Sequence, residues 1–313
     1  MSDGPEIPVT GSARSAAQGA RAATIGSLSR QPSRVVAANR AFRLFLYGMV
    51  AVALIGLAAL LIDAIIEGQP RLSFSLITDS TSRIADQAGF RQAILGSLWL
   101  VGLMVLMVIP LGVGAAVYME EYASRESRLN RLIEVNIQNL AAVPAIVYGI
   151  LGLAFIARGP IGMGKVLFAG SITLTLLVLP TVIIAAREAI RAVPPSIREG
   201  SLALGATQWQ TIRHQVLPAA IPGVLTGLIL AISRALGEAA PLLLFGAAVF
   251  VTTDPEAFDT GWTALPVQIY NLAADPQAEL RELAAAGIVL MLVVLLLMNS
   301  FAIWLRNRYE QKW

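Results

Sequence analysis

The chain has no cysteine and a single histidine, His214. Disulfides and thiolate metal sites are therefore excluded, and one histidine is too few for a His-built metal centre. No Ser-His-Asp or Cys-His arrangement stands out, and no carboxylates are paired inside an apolar run, so nothing favours a membrane enzyme or a resident cofactor. Charge is also scarce. Asp, Glu, Lys and Arg make up 14% of the 313 residues, against about 25% in an average soluble domain. Aromatics are only 7%, so Leu, Ile, Val and Ala supply the apolar surface. What is abundant is hydrophobicity: 56% of residues, with mean hydropathy +0.70. It is gathered into runs long enough to span a bilayer, which reads as a polytopic membrane protein. No fixed period of the solenoid kind is present.

Six apolar segments are predicted as spans: Leu44–Ile66, Gln92–Tyr118, Val135–Ala157, Val166–Ala186, Ala219–Val251 and Leu283–Leu305. None alternates with period two, so helices are expected rather than a barrel. With the N-terminus inside, 16 of the 23 Lys and Arg fall in inside segments and 6 in outside loops, and Arg234 lies within a span. That bias places both termini in the cytoplasm. The last outer loop is acidic, with Asp254, Glu256, Asp259, Asp275, Glu279 and Glu282. Residues 1–40 are rich in Ala, Ser, Gly and Arg without an apolar period, and read as a disordered cytoplasmic tail. Residues 41–313 form the six-span domain.

The stretch from Pro194 to Pro218 is too polar to cross a bilayer, yet it carries helix punctuation. Ser196 and Glu199 have the spacing of a capping box, as do Thr207 and Gln210. Gly205 suits a helix end in the left-handed region. The pattern predicts one helix over Ile197–Leu204 and a second from Thr207 to about Val216, closed by Pro218. Ile197, Leu202, Leu204, Trp209, Ile212, Val216 and Leu217 supply an apolar face, and Arg198, Gln208, Arg213 and His214 a polar one. Two readings fit: an amphipathic loop lying on lipid headgroups, or a docking element for a partner. A DNA-reading helix pair does not fit a segment pinned between two spans, so no nucleic-acid partner is expected.

Glu199, Gly205 and Leu217-Pro218 stand at the spacing of the EAA loop, E-A-A-x3-G-x9-I-x-L-P, and the chain resembles ABC importer permeases there. Gly200 and Ser201 replace the two alanines, and Gln215 replaces the isoleucine. The resemblance implies an all-α, six-helix type I importer permease fold, with the loop as a coupling helix pair. Glu199, Gly205, Thr207, Leu217 and Pro218 are then its coupling residues toward an ATPase subunit.

The fifth apolar run, Ala219–Val251, has 33 residues, about 50 Å if fully helical. A bilayer core needs only about 20 residues, so the run is expected to bend or break at Gly237 and Pro241. Arg234 and Glu238 lie four apart on one helical face, with Arg234 about 22 Å along from Ala219. An intramembrane arginine is costly and faces a water-filled path or a partner. The pair therefore serves either an anion pathway or a structural ion pair, and the two roles are compatible. The string SRALGEAAPLLL is similar to one in phosphate importer permeases, and related to one in sulfate and molybdate permeases. NLAAVPAIVYGILGLAF, LPTVIIAAREAIRAVP and TALPVQIYNLAADPQAE agree, the last resembling the A-type subunit. The resemblance covers roughly Arg91–Trp313. It implies a subunit of an ATP-driven phosphate importer in a bacterial plasma membrane, working by alternating access. It also implies the partners: a second, related permease in a heterodimer, two copies of a cytoplasmic ATPase, an extracytoplasmic phosphate-binding protein and surrounding lipid. A sulfate- or molybdate-type permease and a secondary transporter are the alternatives.

Gly159–Lys165 matches the start of a phosphate-binding P-loop, but Val166 stands where Ser or Thr is needed and no strand precedes it. A tight turn is expected there instead. Asn136, Gln138 and Asn139 enter the third span as structural hydrogen-bonding groups. Pro110, Pro144 and Pro180 are expected to kink their helices. Trp99, Trp262 and Trp304 are expected as interfacial anchors.

Overall fold

The computed structural model describes residues 33–309 apart from 125–126, 248–249 and 259–260. Of the tail expected over 1–40, residues 1–32 lie outside the described residues, as do Arg125, Asp259 and Lys312. The chain divides into two compact units, Met1–Ile62 and Asp63–Trp313.

Helix α1 covers Ser33–Gly68. At 1.5 Å per residue its 36 residues reach about 54 Å, more than a bilayer core requires. Apolar side chains are spread around its circumference, as in a helix that meets lipid rather than water. It begins at Ser33, so residues 33–40, expected in the tail, are helical. The run VVAANRAFRL holds no helix breaker to stop it.

The second unit holds α2 (Ser75–Thr78), α3 (Arg91–Val117), α4 (Arg128–Ala141), α5 (Ala145–Leu151), α6 (Leu167–Arg191), α7 (Pro195–Ala203), α8 (Gln208–Thr211), α9 (Leu217–Leu236), α10 (Ala240–Phe245), α11 (Leu265–Ala273) and α12 (Ala278–Tyr309). Among the described residues, five helical stretches are long and apolar enough to cross a membrane: Ala37–Arg71, Arg91–Tyr122, Leu167–Arg191, Gln208–Leu236 and Ala278–Arg308. The sixth is a bent pair, Arg128–Ala141 with Ala145–Ala157, at 102° to one another. The kink expected at Pro144 in the third span, Val135–Ala157, is thus a full break. Pro144 disfavours helical backbone at Val143 and cannot donate its own hydrogen bond. Its N-terminal arm, α4, is amphipathic rather than apolar, and Asn136 Nδ2 donates to Leu132 O of the same helix at 2.8 Å. By contrast, α3 and α6 run through Pro110 and Pro180 as single elements.

Helix α6 forms the centre of the core. It packs against α3, α5 and α9, so Leu174, Val178 and Val182 meet Leu100, Met104 and Val108 of α3 and Val224, Leu228 and Ala231 of α9. The spacing of three or four within each set is what buries one stripe of each helix. Ser171, Thr173 and Thr175 place hydroxyls in this core, and each donates to the carbonyl four residues back. No buried hydroxyl of the three is left without a bond. Helix α5 reaches α10 closely because Gly149 has no side chain: a Cβ there would lie 2.5 Å from Pro241 O. A second, smaller apolar cluster joins α2, α11 and the start of α12 through Leu76, Phe90, Leu265, Ile269, Leu272 and Leu283.

Trp262 is no interfacial anchor. It is fully buried, and its indole Nε1 donates to Lys165 O at 2.8 Å. The acidic outer loop folds inward at this point, so the large apolar ring fills the core while its one polar atom finds a carbonyl. Trp99 and Trp304 are exposed. The Gly159–Lys165 segment makes turns, with Gly162 and Gly164 at φ 61° and 76°.

Candidate functional site

At one end of the second unit, α7 and α8 form a short helical pair. Helix α7 begins at Pro195, whose fixed φ suits the first helical position. Ser196 therefore falls one place inside the helix, and the expected Ser196–Glu199 capping box does not form: the cap position is Pro194, with no side-chain bond. The consequence is chemical. Glu199 does not turn back onto the helix start; it is exposed, and no hydrogen bond or ion pair holds it among the described residues.

Gly205 stops α7 as expected. Its φ is +85°, a conformation that costs a residue with a Cβ about 1–2 kcal/mol. Gly205 N donates to Leu202 O and Ala206 N to Ser201 O, the double bond pattern of a Schellman end. The second capping box forms fully: Gln210 N donates to Thr207 Oγ1 at 3.3 Å, and Thr207 N donates to Gln210 Oε1 at 2.8 Å. A hydrogen bond of 2.9 Å between the Ser201 and Thr211 hydroxyls ties the two helices together.

Pro218 does not close the second helix. The chain widens into a π turn over Ile212–Val216, where Leu217 N donates to Ile212 O five residues back. It then continues as α9, so Gln208–Leu236 forms one long helix. Proline lacks a donor, and the wide turn just before it absorbs the missing bond. Leu217 and Pro218 thus sit at the junction between the helix pair and the span. The expected single apolar face is divided. Ile212 and Val216 are buried, and Ile197 and Leu217 pack on the core. Leu202, Leu204 and Trp209 point outward, with Leu204 91% exposed and Trp209 53% exposed.

Arg198 was expected on the polar face, but it points inward. Its guanidinium donates to Glu121 Oε1 from Nε (3.0 Å) and Nη2 (2.8 Å), to Val193 O at 2.7 Å and to Ile190 O at 2.9 Å. Ile190 stands in the last turn of α6 and Val193 two residues past its end, where carbonyls have acceptor capacity to spare. Gln208 Nε2 donates to the backbone carbonyl of Glu121 at 2.6 Å. Next to it, Glu120 is buried beneath two arginines of α6. Arg187 Nε donates to Glu120 Oε1 at 2.9 Å, and Arg191 donates to both its oxygens at 2.7 and 3.3 Å. Arg187 also donates to Glu134 of α4 at 3.1 Å. Both carboxylates stand on the π turn Tyr118–Tyr122 that ends α3. This ionic cluster was not anticipated from the sequence. Its signal was there: two adjacent acids closing an apolar run, and Arg187 and Arg191 one helical turn apart.

Arg234 and Glu238 are brought together as expected, Nε to Oε1 at 3.6 Å. They lie where α9 ends: Leu236 is its last residue, Gly237 caps it, and α10 restarts with Pro241 in its first turn. The expected break is thus where the sequence put it. The helix begins at Gln208 rather than Ala219, so Arg234 stands about 39 Å along it, at the end remote from the coupling pair. Arg234 is 64% exposed. It borders a narrow cleft with Leu140, Val143, Leu177, Thr181 and Ala231. The described residues therefore hold two separate candidate sites at opposite ends of one long helix.

A family model described as binding-protein-dependent transport system inner membrane component matches residues 108–311. The chain is 34% identical over 282 residues to the probable ABC transporter permease protein YqgI of Bacillus subtilis, covering 84% of this chain and 92% of that protein. It is 34% identical over 257 residues to the phosphate transport system permease protein PstA of Haemophilus influenzae, covering 82% and 89%. With PstA 1 of Mycobacterium tuberculosis (strain ATCC 25618 / H37Rv) it shares 35% over 209 residues, covering 66% and 66%. Among solved structures, a chain of a bacterial alginate ABC transporter in complex with its periplasmic protein superposes with TM-score 0.65 at 17% identity, over 89% of this chain and 98% of that one. The MetNI methionine ABC transporter gives TM-score 0.55 at 19% identity, over 70% and 94%.

Proposed function

The chain belongs to the family of binding-protein-dependent transport system inner membrane components, and from that premise we propose that it carries inorganic phosphate across the membrane. It is a multi-pass, all-helical permease subunit of an ABC importer, and ATP hydrolysis is the task of a separate subunit. The cargo rests on relatives named for phosphate transport, joined to an arginine at the break in the fifth span. The coupling role rests on one observation above all. Among the described residues Glu199 is left unpaired beside exposed Leu202, Leu204 and Trp209, on a helix pair closed by a Schellman end at Gly205 and a capping box at Thr207.

In this reading the helix pair seats in a groove of a cytoplasmic ATPase, which puts both termini of the chain in the cytoplasm. Leu204 and Trp209 lose water-exposed apolar surface on docking, and Glu199 gains a cationic or hydrogen-bonding partner. Arg234 faces a second, related permease subunit, where its guanidinium meets the passing anion. Glu238 holds the guanidinium between passages, and the 3.6 Å separation keeps that hold weak enough to exchange. Two ATPase copies closing on ATP move the two permeases between outward and inward access. An extracytoplasmic phosphate-binding protein delivers the cargo to the outer face.

The test is purification of the intact assembly from its native membrane in mild detergent, followed by ATP hydrolysis with the loaded binding protein. A co-purifying ATPase and second permease are expected, with hydrolysis stimulated by phosphate and not by sulfate or molybdate. Absence of an ATPase would remove the coupling role. Stimulation by sulfate in place of phosphate would replace the cargo and leave the coupling role intact.

A further inference from the structure

Glu120 and Glu121 are consecutive, yet they bind different parts of the molecule. Adjacent side chains on a helical turn diverge by about 100°, so the tip of α3 grips α6 with one carboxylate and the coupling pair with the other. On the coupling side the same divergence recurs: Arg198 points inward to Glu121, and its neighbour Glu199 points outward without a partner. One Arg198 guanidinium joins α7 to the α3 tip, to Ile190 O in the last turn of α6 and to Val193 O just beyond it. Gln208 fastens the start of α8 to the same residue, Glu121. The Arg198 and Glu121 side chains are 23% and 9% exposed, so water screens this contact poorly.

We propose that the Glu121–Arg198 pair is the joint through which displacement of the coupling helix reaches α3, and that it stays closed throughout the transport cycle. Because α8 runs on into α9, the pair already carries one span; an unlinked α7 would move with it and leave α3 behind. Here α7 cannot shift without drawing the α3 tip, and α3 is a continuous helix of 27 residues reaching about 40 Å to the other end of the unit. Glu121 and Arg198 are positioning residues in this account: neither meets cargo or ATP. The inference rests on the permease reading given above.

The chain has no cysteine, which permits a direct test in the reconstituted assembly of both permeases, the ATPase and the binding protein. The double variant Glu121→Cys with Arg198→Cys removes the joint, and a short bismaleimide restores a link between the same two positions. Before crosslinking, the ATPase is expected to remain docked and to hydrolyse ATP, while ATP consumed per phosphate moved rises about tenfold, within the usual range of coupling energies. After crosslinking, confirmed within this chain by mass spectrometry, the ratio is expected to return to near the wild-type value. A wild-type ratio before crosslinking overturns the proposal, and so does loss of transport on crosslinking, which would mean that the joint has to open. If the double variant does not assemble, Glu121→Gln serves instead. It keeps the shape and one acceptor but loses the charge; a raised ratio supports the joint, and an unchanged ratio overturns it. Wild-type assembly run in parallel separates the two readings. If wild type moves no phosphate, the cargo reading fails. The joint is then judged on stimulation of ATP hydrolysis by the binding protein, which should be lost in the double variant and regained on crosslinking.

Discussion

Replacing Leu204 with Ser tests the docking surface with little risk to the fold. Leu204 is 91% exposed and sits at the cap of α7, so its side chain supports nothing inside the protein. Exposed substitutions of this kind change stability by about 0.5 kcal/mol or less. If the residue enters a groove of the ATPase, nearly all its apolar surface leaves water on docking, worth about 1.5–3 kcal/mol for a leucine. At about 1.4 kcal/mol per factor of ten, the dissociation constant of the ATPase from the permease pair should rise by about 10- to 100-fold. The assay is titration of labelled ATPase onto the nanodisc-embedded permease pair. Phe74→Ser is the control, because Phe74 is 79% exposed but lies just before α2, close to the α3 start and away from the coupling pair. An unchanged affinity for Leu204→Ser, or an equal loss for Phe74→Ser, would refute the assignment of this face.

Other consequences are open to direct measurement. Arg234→Gln should assemble normally but lower phosphate uptake by about tenfold or more, equivalent to about 1.4 kcal/mol; full uptake would leave Arg234 a structural role only. Thr207→Ala removes the capping box of α8 and should cost that turn about 1 kcal/mol, seen as faster hydrogen exchange at the Gln210 amide. Glu120→Leu strands the largely buried Arg187 with Glu134 as its remaining partner, and should destabilise the protein by about 3 kcal/mol in thermal denaturation in detergent. Gly149→Leu should cost at least about 1–3 kcal/mol by overpacking, because the approach of α5 to Pro241 leaves no room for a Cβ.

Much of this structure was legible in the sequence because the relevant signals are local. Long apolar runs gave the spans. Thr207 with Gln210, and glycine at Gly205, gave a helix start and a helix end that appear as expected. The break after Leu236 followed from length, since 33 apolar residues exceed one crossing, with Gly237 and Pro241 marking its place. The failures have physical causes. At Ser196 two local signals competed, and proline at the first helical position displaced the capping box. At Pro218 a proline read as a stop is carried through by a π turn, which composition does not reveal. A kink was expected at Pro144 in the third span, but hydropathy does not register direction, and the size of the turn, 102°, was not legible. Trp262 near a segment end looked interfacial until the outer loop folded it inward. The Glu120–Glu121 cluster was the largest omission. Its partners lie 67 to 87 residues away in sequence, and only the packing of α3 against α6 and the helix pair brings them together.

The most direct measurement for the account as a whole is uptake of labelled phosphate into proteoliposomes holding this chain, its permease partner and the ATPase. ATP is enclosed on the side of the coupling pair, and the binding protein is supplied on the other. Uptake that requires ATP, requires the binding protein and fails with Leu204→Ser is the expected result. Phosphate uptake that persists without the ATPase, or ATP-driven uptake of another anion with none of phosphate, would contradict it.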